Sequence, residues 1–309
     1  MMFQILKNQS NPMQKGTDGL KWLLFILLCL IWGSSFVLMK LGMFAPDGSQ
    51  VLSAWQVAAI RIFTSGMVLL PFAIKAWKRI PKQSRGIVLI SGWLGSFIPA
   101  ILFCLAESKI DSALAGTLNA VTPLSTLFIG WLIYRIPVAK SKLTGILVGL
   151  AGCILLFMQK AFDPVNHPGW AGLVLVATLC YGWNVQMVRQ KLSGISALDI
   201  ATMAFSGMIP FSFILLMVSG YFSLPVQEEI FVRATLAASI LGIIGTAVAS
   251  IIFYRLVQLS GPLFASLVTY GIPFVAIGWG LVYGEKINIA QVAALAIILG
   301  GVYLTNKER

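Results

Sequence analysis

The sequence predicts an all-α polytopic membrane protein. Ten transmembrane helices are expected, as two inverted five-helix repeats with both termini cytoplasmic. Three observations predict this. The 309 residues are 58% hydrophobic and only 10% charged, where soluble proteins carry about 25% charged residues, and the mean hydropathy is +0.90. Apolar runs long enough to span a bilayer follow one another through the chain. The stretch from Gly92 to Arg135 also returns, without a gap, 150 positions later. Gly92, Gly95, Ser96, Ile101, Phe103, Ala115, Pro123 and Gly130 meet Gly242, Gly245, Thr246, Ile251, Phe253, Ala265, Pro273 and Gly280. Matched glycines and prolines in two apolar stretches mark an internal repeat, and a repeat dictates architecture.

In chain order, residues 1–19 read as a polar cytoplasmic tail rather than a cleavable leader, because the apolar run that follows is of spanning length. A first repeat covers 20–159, with helices near 20–41, 51–73, 86–105, 113–134 and 143–158. A second covers 168–305, with helices near 169–187, 200–222, 234–256, 263–283 and 290–304. The fifth and tenth are short, and they occupy the same place in their halves. The first helix repeats as well: Trp32, Gly33 and Lys40 meet Tyr181, Gly182 and Arg189 at an offset of 149. The second and seventh helices align only by position.

Lysine and arginine set the orientation. Lys75, Lys78, Arg79, Lys82 and Arg85 share one gap, and Arg135, Lys140 and Lys142 another. Placing these gaps and both termini inside leaves only Lys40, Lys109, Lys160, Arg233 and Lys286 outside, as the positive-inside rule requires. Five helices is an odd number, so the second copy enters the membrane upside down. Inverted repeats are a recurring design of secondary transporters, where one unit exposes a midplane site to one side and its twin to the other.

Several function classes are excluded. The net charge of +12 lies in short gaps between apolar runs and not on one polar face, so no nucleic-acid partner is expected. Cys29, Cys104, Cys153 and Cys180 lack CxxC spacing, and His167 stands alone in a loop, so neither a metal nor a cofactor is expected. The chain has no GxxxxGK[ST] pattern for ATP. It offers no nucleophile with a base, so no catalytic residue is assigned and the protein is not expected to be an enzyme. Carboxylates are absent mid-span. Glu107, Asp111 and Glu285 sit near helix ends and Asp199 opens the seventh helix, which points to exchange driven by solute gradients.

Further residues carry a resemblance. Trp32, Gly33, Ser34, Ser35, Phe36 and Lys40, then Arg61, Gly95 and Pro123, then Gly245, Pro273 and Gly284, Glu285 and Lys286, stand in the order and spacing of the drug/metabolite transporter superfamily. The chain resembles its EamA-type ten-helix exporters from residue 20 to 304. It departs at Arg135, where the family usually has an acid. The resemblance implies a secondary transporter, often of amino acids or other small metabolites, with a cavity between helices 1, 3, 4, 6, 8 and 9.

Polar groups inside apolar spans need a partner or a cavity. Asn119 and Thr122 share a helix face before Pro123, which frees a carbonyl one turn earlier, and Thr269 and Tyr270 precede Pro273 in the same way. Trp32 and Ser35 share one face of the first helix, and Trp183 and Asn184 crowd the equivalent place in the sixth. Trp32, Ser35, Asn119, Thr122, Trp183, Asn184, Thr269 and Tyr270 are therefore assigned to substrate binding, against the alternative of helix-to-helix hydrogen bonds worth about 0.6 kcal/mol each. Pro123, Pro273, Tyr254 and Arg61 are assigned gating or structural roles. Arg61 is a charge deep in a span, costing about 2.5–3.5 kcal/mol to insert. It either pairs a substrate carboxylate or satisfies carbonyls of neighbouring helices. The resemblance leaves helix 2 outside the cavity, so the structural role is expected. Lys40 is expected to snorkel to the interface. The small-residue strip Gly145, Gly149, Gly152 suits either a homodimer or packing within the monomer.

The expected function is export or exchange of small metabolites, foremost amino acids, by alternating access, with membrane lipid and the solute as partners. Carriage of nucleosides, nucleotide sugars or drugs is the alternative. A receptor or scaffold without transport is the reading from another class.

Overall fold

The computed structural model describes residues 12–110, 112–158, 168–282 and 289–306. Asp111, His167, Gly284, Glu285 and Lys286 lie outside the described residues, as do residues 1–11 and the Cys153 side chain. Among the described residues the chain forms ten helical segments. They are α1 (Pro12–Met43), α2 (Ala54–Arg79), α3 (Lys82–Glu107), α4 in two pieces (Ser112–Asn119 and Thr122–Tyr134) and α5 (Lys140–Met158). The second half follows as α6 (Ala171–Lys191), α7 (Ala197–Val218), α8 (Glu229–Ser266), α9 (Val268–Val282) and α10 (Ile289–Asn306). The stretches Gly19–Met43 of α1, α2, α3, α6, α7 and α8 are long and apolar enough to cross a membrane. In α4 and α10 the apolar segments are shorter, Thr122–Tyr134 and Val292–Thr305. The α8 run bends at Gly261, whose φ of 84° only glycine adopts without strain, so Pro262 onward leads into α9.

The repeat is visible in backbone detail. In α3 the helix widens to a π turn at Trp93–Phe97, and in α8 it does so at Ile243–Val248. The two π turns begin 150 positions apart and carry the matched pairs Gly95 and Gly245, Ser96 and Thr246. The structure also aligns α2 with α7, which their residues alone do not. Ser53 caps α2 by accepting from Gln56 N at 3.2 Å, and Ser196 caps α7 by accepting from Asp199 N at 3.1 Å. The caps are 143 positions apart. At that offset Arg61 meets Ala204, and their carbonyls face the equivalent glycines Gly242 and Gly92. The correspondence lies in caps and close backbone approaches, not in side-chain identity.

Inversion follows from how α2 and α7 lie together. Gln56 Nε2 donates to Ser219 O at 2.9 Å at one end, Gly66 packs on Ile209 in the middle, and Arg79 pairs with Asp199 at 3.5 Å at the other end. The helices are antiparallel along their length, as equivalent members of inverted repeats must be. Around them α1 packs against α8 and α9, while α6 packs against α3 and α4. α5 and α10 form a second antiparallel pair.

That last pair corrects the dimer expectation. A side chain on Gly149 would collide with Tyr270, one on Gly301 with the Gly149 backbone, one on Gly145 with Thr305, and one on Gly152 with Ile298. The glycine strip is filled by α10 and Tyr270 of the same chain, so it is not free to join a second copy. Gly149→Leu is expected to destabilise the monomer by at least about 1–3 kcal/mol through overpacking, seen as a lower melting temperature in detergent. Loss of a dimer with unchanged monomer stability would be the contrary result.

Candidate functional site

A central cavity opens where the two sets of helices face each other. α1 contributes Trp32, Ser35 and Phe36, α3 Gly95, Ser96 and Phe103, and α4 Asn119 and Thr122. α6 contributes Tyr181 and Asn184, and α8 Thr246, Ser250, Phe253 and Tyr254; Ser266 and Thr269 line it from the α8–α9 junction and α9. α2 adds Arg61. About 80 Å³ is open to the centre of a water-sized sphere, where one water needs about 10–15 Å³. The cavity therefore holds a few waters or a small solute. Its wall is aromatic with hydroxyls and amides between the rings, and among its described lining residues Arg61 is the sole charge.

The repeat builds this wall in equivalent pairs. Ser35 packs on Gly245 in the α8 π turn, and Asn184 packs on Gly95 in the α3 π turn. Only glycine admits helices that close. Trp32 packs tilted against Phe253 with ring centroids 5.1 Å apart, and its equivalent Tyr181 meets Phe103 at 6.0 Å. Trp32 Nε1 donates to Gly245 O at 3.0 Å, which satisfies a π-turn carbonyl inside the bundle. Ser91 Oγ donates to Asn184 Oδ1 at 2.6 Å, and the Tyr254 hydroxyl reaches both residues.

Six of the eight residues assigned to substrate binding meet here: Trp32, Ser35, Asn119, Thr122, Asn184 and Thr269. Trp183 and Tyr270 do not. A helix turns about 100° per residue, and here the neighbours of Asn184 and Thr269 are turned away from the cavity. Trp183 points outward at 42% exposure. Tyr270 is buried against α5, where its hydroxyl donates to Ile146 O at 2.8 Å. Pro123 and Pro273 are buried behind the wall, and the Asn119 carbonyl one turn before Pro123 accepts the Thr122 hydroxyl at 2.6 Å. Tyr254 is 2% exposed, so it belongs to the cavity and not to the membrane interface. Arg61 reaches the cavity, although the resemblance places helix 2 outside it. Tyr181, Thr246 and Ser96 line it too, and their alignment with Trp32, Ser96 and Thr246 is the sequence signal that nominates them.

Lys40 departs from expectation. It does not snorkel: Nζ donates to Glu107 O at 2.7 Å and Ile110 O at 3.2 Å. This closes the C-terminal end of α3, where a cation also complements the helix dipole. Its equivalent Arg189 donates through Nη1 to Gln258 O at 2.9 Å, near the matching end of α8. Each link joins α1 with α3, or α6 with α8, across the cavity, at opposite ends of the bundle. At the end where α1 begins and α10 finishes, Lys21, Lys142, Arg189 and Thr305 border a wider basin of about 730 Å³ by the same measure.

Residues 20–158 and 169–307 each match the EamA-like transporter family. The chain belongs to that family. Among EamA-like relatives, the "S-adenosylmethionine/S-adenosylhomocysteine transporter" of Chlamydia muridarum is 24% identical over 301 residues, covering 92% of this chain and 91% of that one. The "Uncharacterized inner membrane transporter YedA" of Escherichia coli K12 is 24% identical over 287 residues, covering 90% and 87%. A solved crystal structure superposes with a TM-score of 0.67 at 18% identity, covering 92% of this chain and 95% of that chain, and shares the fold. This EamA-like protein is thus a multi-pass inner-membrane transporter of small molecules and not an enzyme.

Asn184→Leu keeps the shape but leaves Ser91 and Tyr254 without their amide partner. It is expected to slow transport by about tenfold, while the outward-facing Trp183→Leu stays within about twofold. Solute exchange in liposomes measures both, and equal effects would contradict the geometry.

Proposed function

We propose that the protein exports or exchanges small metabolites, foremost amino acids, by alternating access around the central cavity. The observation that carries this reading is the paired set of closures. Trp32–Phe253 and Tyr181–Phe103 flank one cavity as equivalents. The Lys40 and Arg189 links close opposite ends of it, again as equivalents. Breaking one set while keeping the other opens a midplane site to one side at a time, which is what inverted repeats provide. In this reading the two repeats, 20–159 and 168–305, rock against each other, and residues 1–19 and both termini lie in the cytoplasm, as the basic loops favour.

A second reading has one observation in its favour. A relative is named for S-adenosylmethionine and S-adenosylhomocysteine, and the ring faces of Trp32, Phe103, Tyr181 and Phe253 suit a purine as well as an aromatic side chain. Both solute classes contain an amino-acid end.

Counterflow in proteoliposomes tests the reading. Vesicles loaded with an unlabelled solute are expected to take up the same labelled solute saturably, with single L-amino acids, S-adenosylhomocysteine, nucleosides and a quaternary amine as the panel. Trp32→Ala is expected to lower that exchange by about tenfold or more. Exchange confined to nucleosides or to the amine would refute the amino-acid assignment and leave the transport mechanism standing. Folded protein that exchanges none of the panel would refute the proposed solute class.

A further inference from the structure

Arg61 is a half-buried cation in the wall of the cavity. Its Nε donates to Thr246 Oγ1 at 2.6 Å, in the π turn of α8. Its two terminal nitrogens have no protein partner among the described residues, and no described carboxylate lies within ion-pair distance of it. The Arg61 charge is felt by Glu107 on α3, whose Oε2 accepts from Ser112 at 3.0 Å and whose Oε1 has no hydrogen-bond partner among the described residues. Lys40 on α1 is occupied by the carbonyls of Glu107 and Ile110. A guanidinium at membrane depth with two open donor groups needs an acceptor, and its planar fork matches a carboxylate with two parallel hydrogen bonds.

The repeat separates this role from a merely structural one. The joint between α2 and the α8 π turn has an equivalent between α7 and the α3 π turn. There Ala204 stands where Arg61 stands, packed on Gly92 as Arg61 packs its carbonyl on Gly242. The scaffold therefore makes the same joint with no charge. Arg61 is an addition to one half, and it points into the shared cavity.

We propose that Arg61 is a carboxylate clamp: it binds the carboxylate of the transported solute through Nη1 and Nη2 while Thr246 holds Nε. The solute is then an organic acid or amino acid whose apolar body lies on the aromatic wall. This rests on the transport reading above and narrows its substrate class.

The test compares acids with their amides. Binding to the detergent-purified protein is read by intrinsic tryptophan fluorescence, which needs no transport, and exchange is read separately by counterflow. The solutes are the twenty L-amino acids and S-adenosylhomocysteine, set against L-phenylalaninamide, L-leucinamide, adenosine and phenethylamine. Wild-type protein is expected to bind acids and to prefer each acid over its amide by about tenfold or more. Arg61→Gln is expected to erase that preference and Arg61→Lys to keep part of it, with gel filtration confirming that both are folded. The clamp is wrong if the tightest solute lacks a carboxylate, if acid and amide bind alike, or if no acid binds at all. It is also wrong if folded Arg61→Gln discriminates like the wild type. Binding of acids without any exchange would instead count against the transport reading and leave the clamp in place. The acid-to-amide comparison on wild-type protein decides the matter even if Arg61→Gln does not fold.

Discussion

Inside a bilayer no water is at hand to satisfy a loose backbone group, so every departure from a regular helix must be answered by another part of the chain. The two π turns are such departures, and much of the cavity is the answer to them. At the α8 turn, Trp32 binds the Gly245 carbonyl and Arg61 binds Thr246. At the α3 turn, Asn184 packs on Gly95 and accepts from Ser91. π turns in helices frequently mark functional positions. Here they widen the helices that face each other across the cavity, and the glycines within them let α1 and α6 approach closely enough to form its walls.

The repeat gives more than economy. The joints at the two π turns are made twice, so a residue found in only one copy is not needed by such a joint. Ser35 and Asn184 occupy equivalent places and both pack on a π-turn glycine, which makes them part of the scaffold as well as of the wall. Arg61 and Ala204 occupy equivalent places and differ in charge, which makes Arg61 part of the chemistry. Lys40 and Arg189 keep the charge in both copies and both bind carbonyls near the end of a helix across the cavity.

Much of this is legible in the residues. Apolar runs locate the helices, five helices per repeat give the inversion, and the offset of 150 pairs the two segments that the structure folds as π turns, because glycine, proline and small polar residues are constrained by backbone geometry. The faces of helices are less legible where adjacent residues compete. Trp183 and Asn184 both suit a cavity by type, but the helix turns only one of this pair into it, and sequence alone does not say which. Tyr270 and Thr269 pose the same problem with the same outcome. The fate of Gly145, Gly149 and Gly152 depends on α10, which lies about 150 positions further on, and no local pattern encodes that pairing. Lys40 reads as an interfacial lysine because its acceptors are backbone carbonyls, which every sequence contains and none advertises.

The two ends of the bundle are not alike, although the halves that build them are. At one end Lys40 makes two hydrogen bonds and is half-buried. At the other, Arg189 makes one, is exposed, and borders the wide basin with Lys21 and Lys142. The connections differ too: α8 bends into α9 at Gly261, whereas the break within α4 falls between Asn119 and Thr122. In the proposed alternating-access cycle, two copies of one unit held in different arrangements would exchange roles in a partner state. That exchange would tighten the Arg189 end and loosen the Lys40 end around an unchanged cavity. Both links are formed here, so opening either end breaks its own link while the equivalent link at the other end stays in place. A solute bound at the centre shifts the population between such states only by its differential affinity for them.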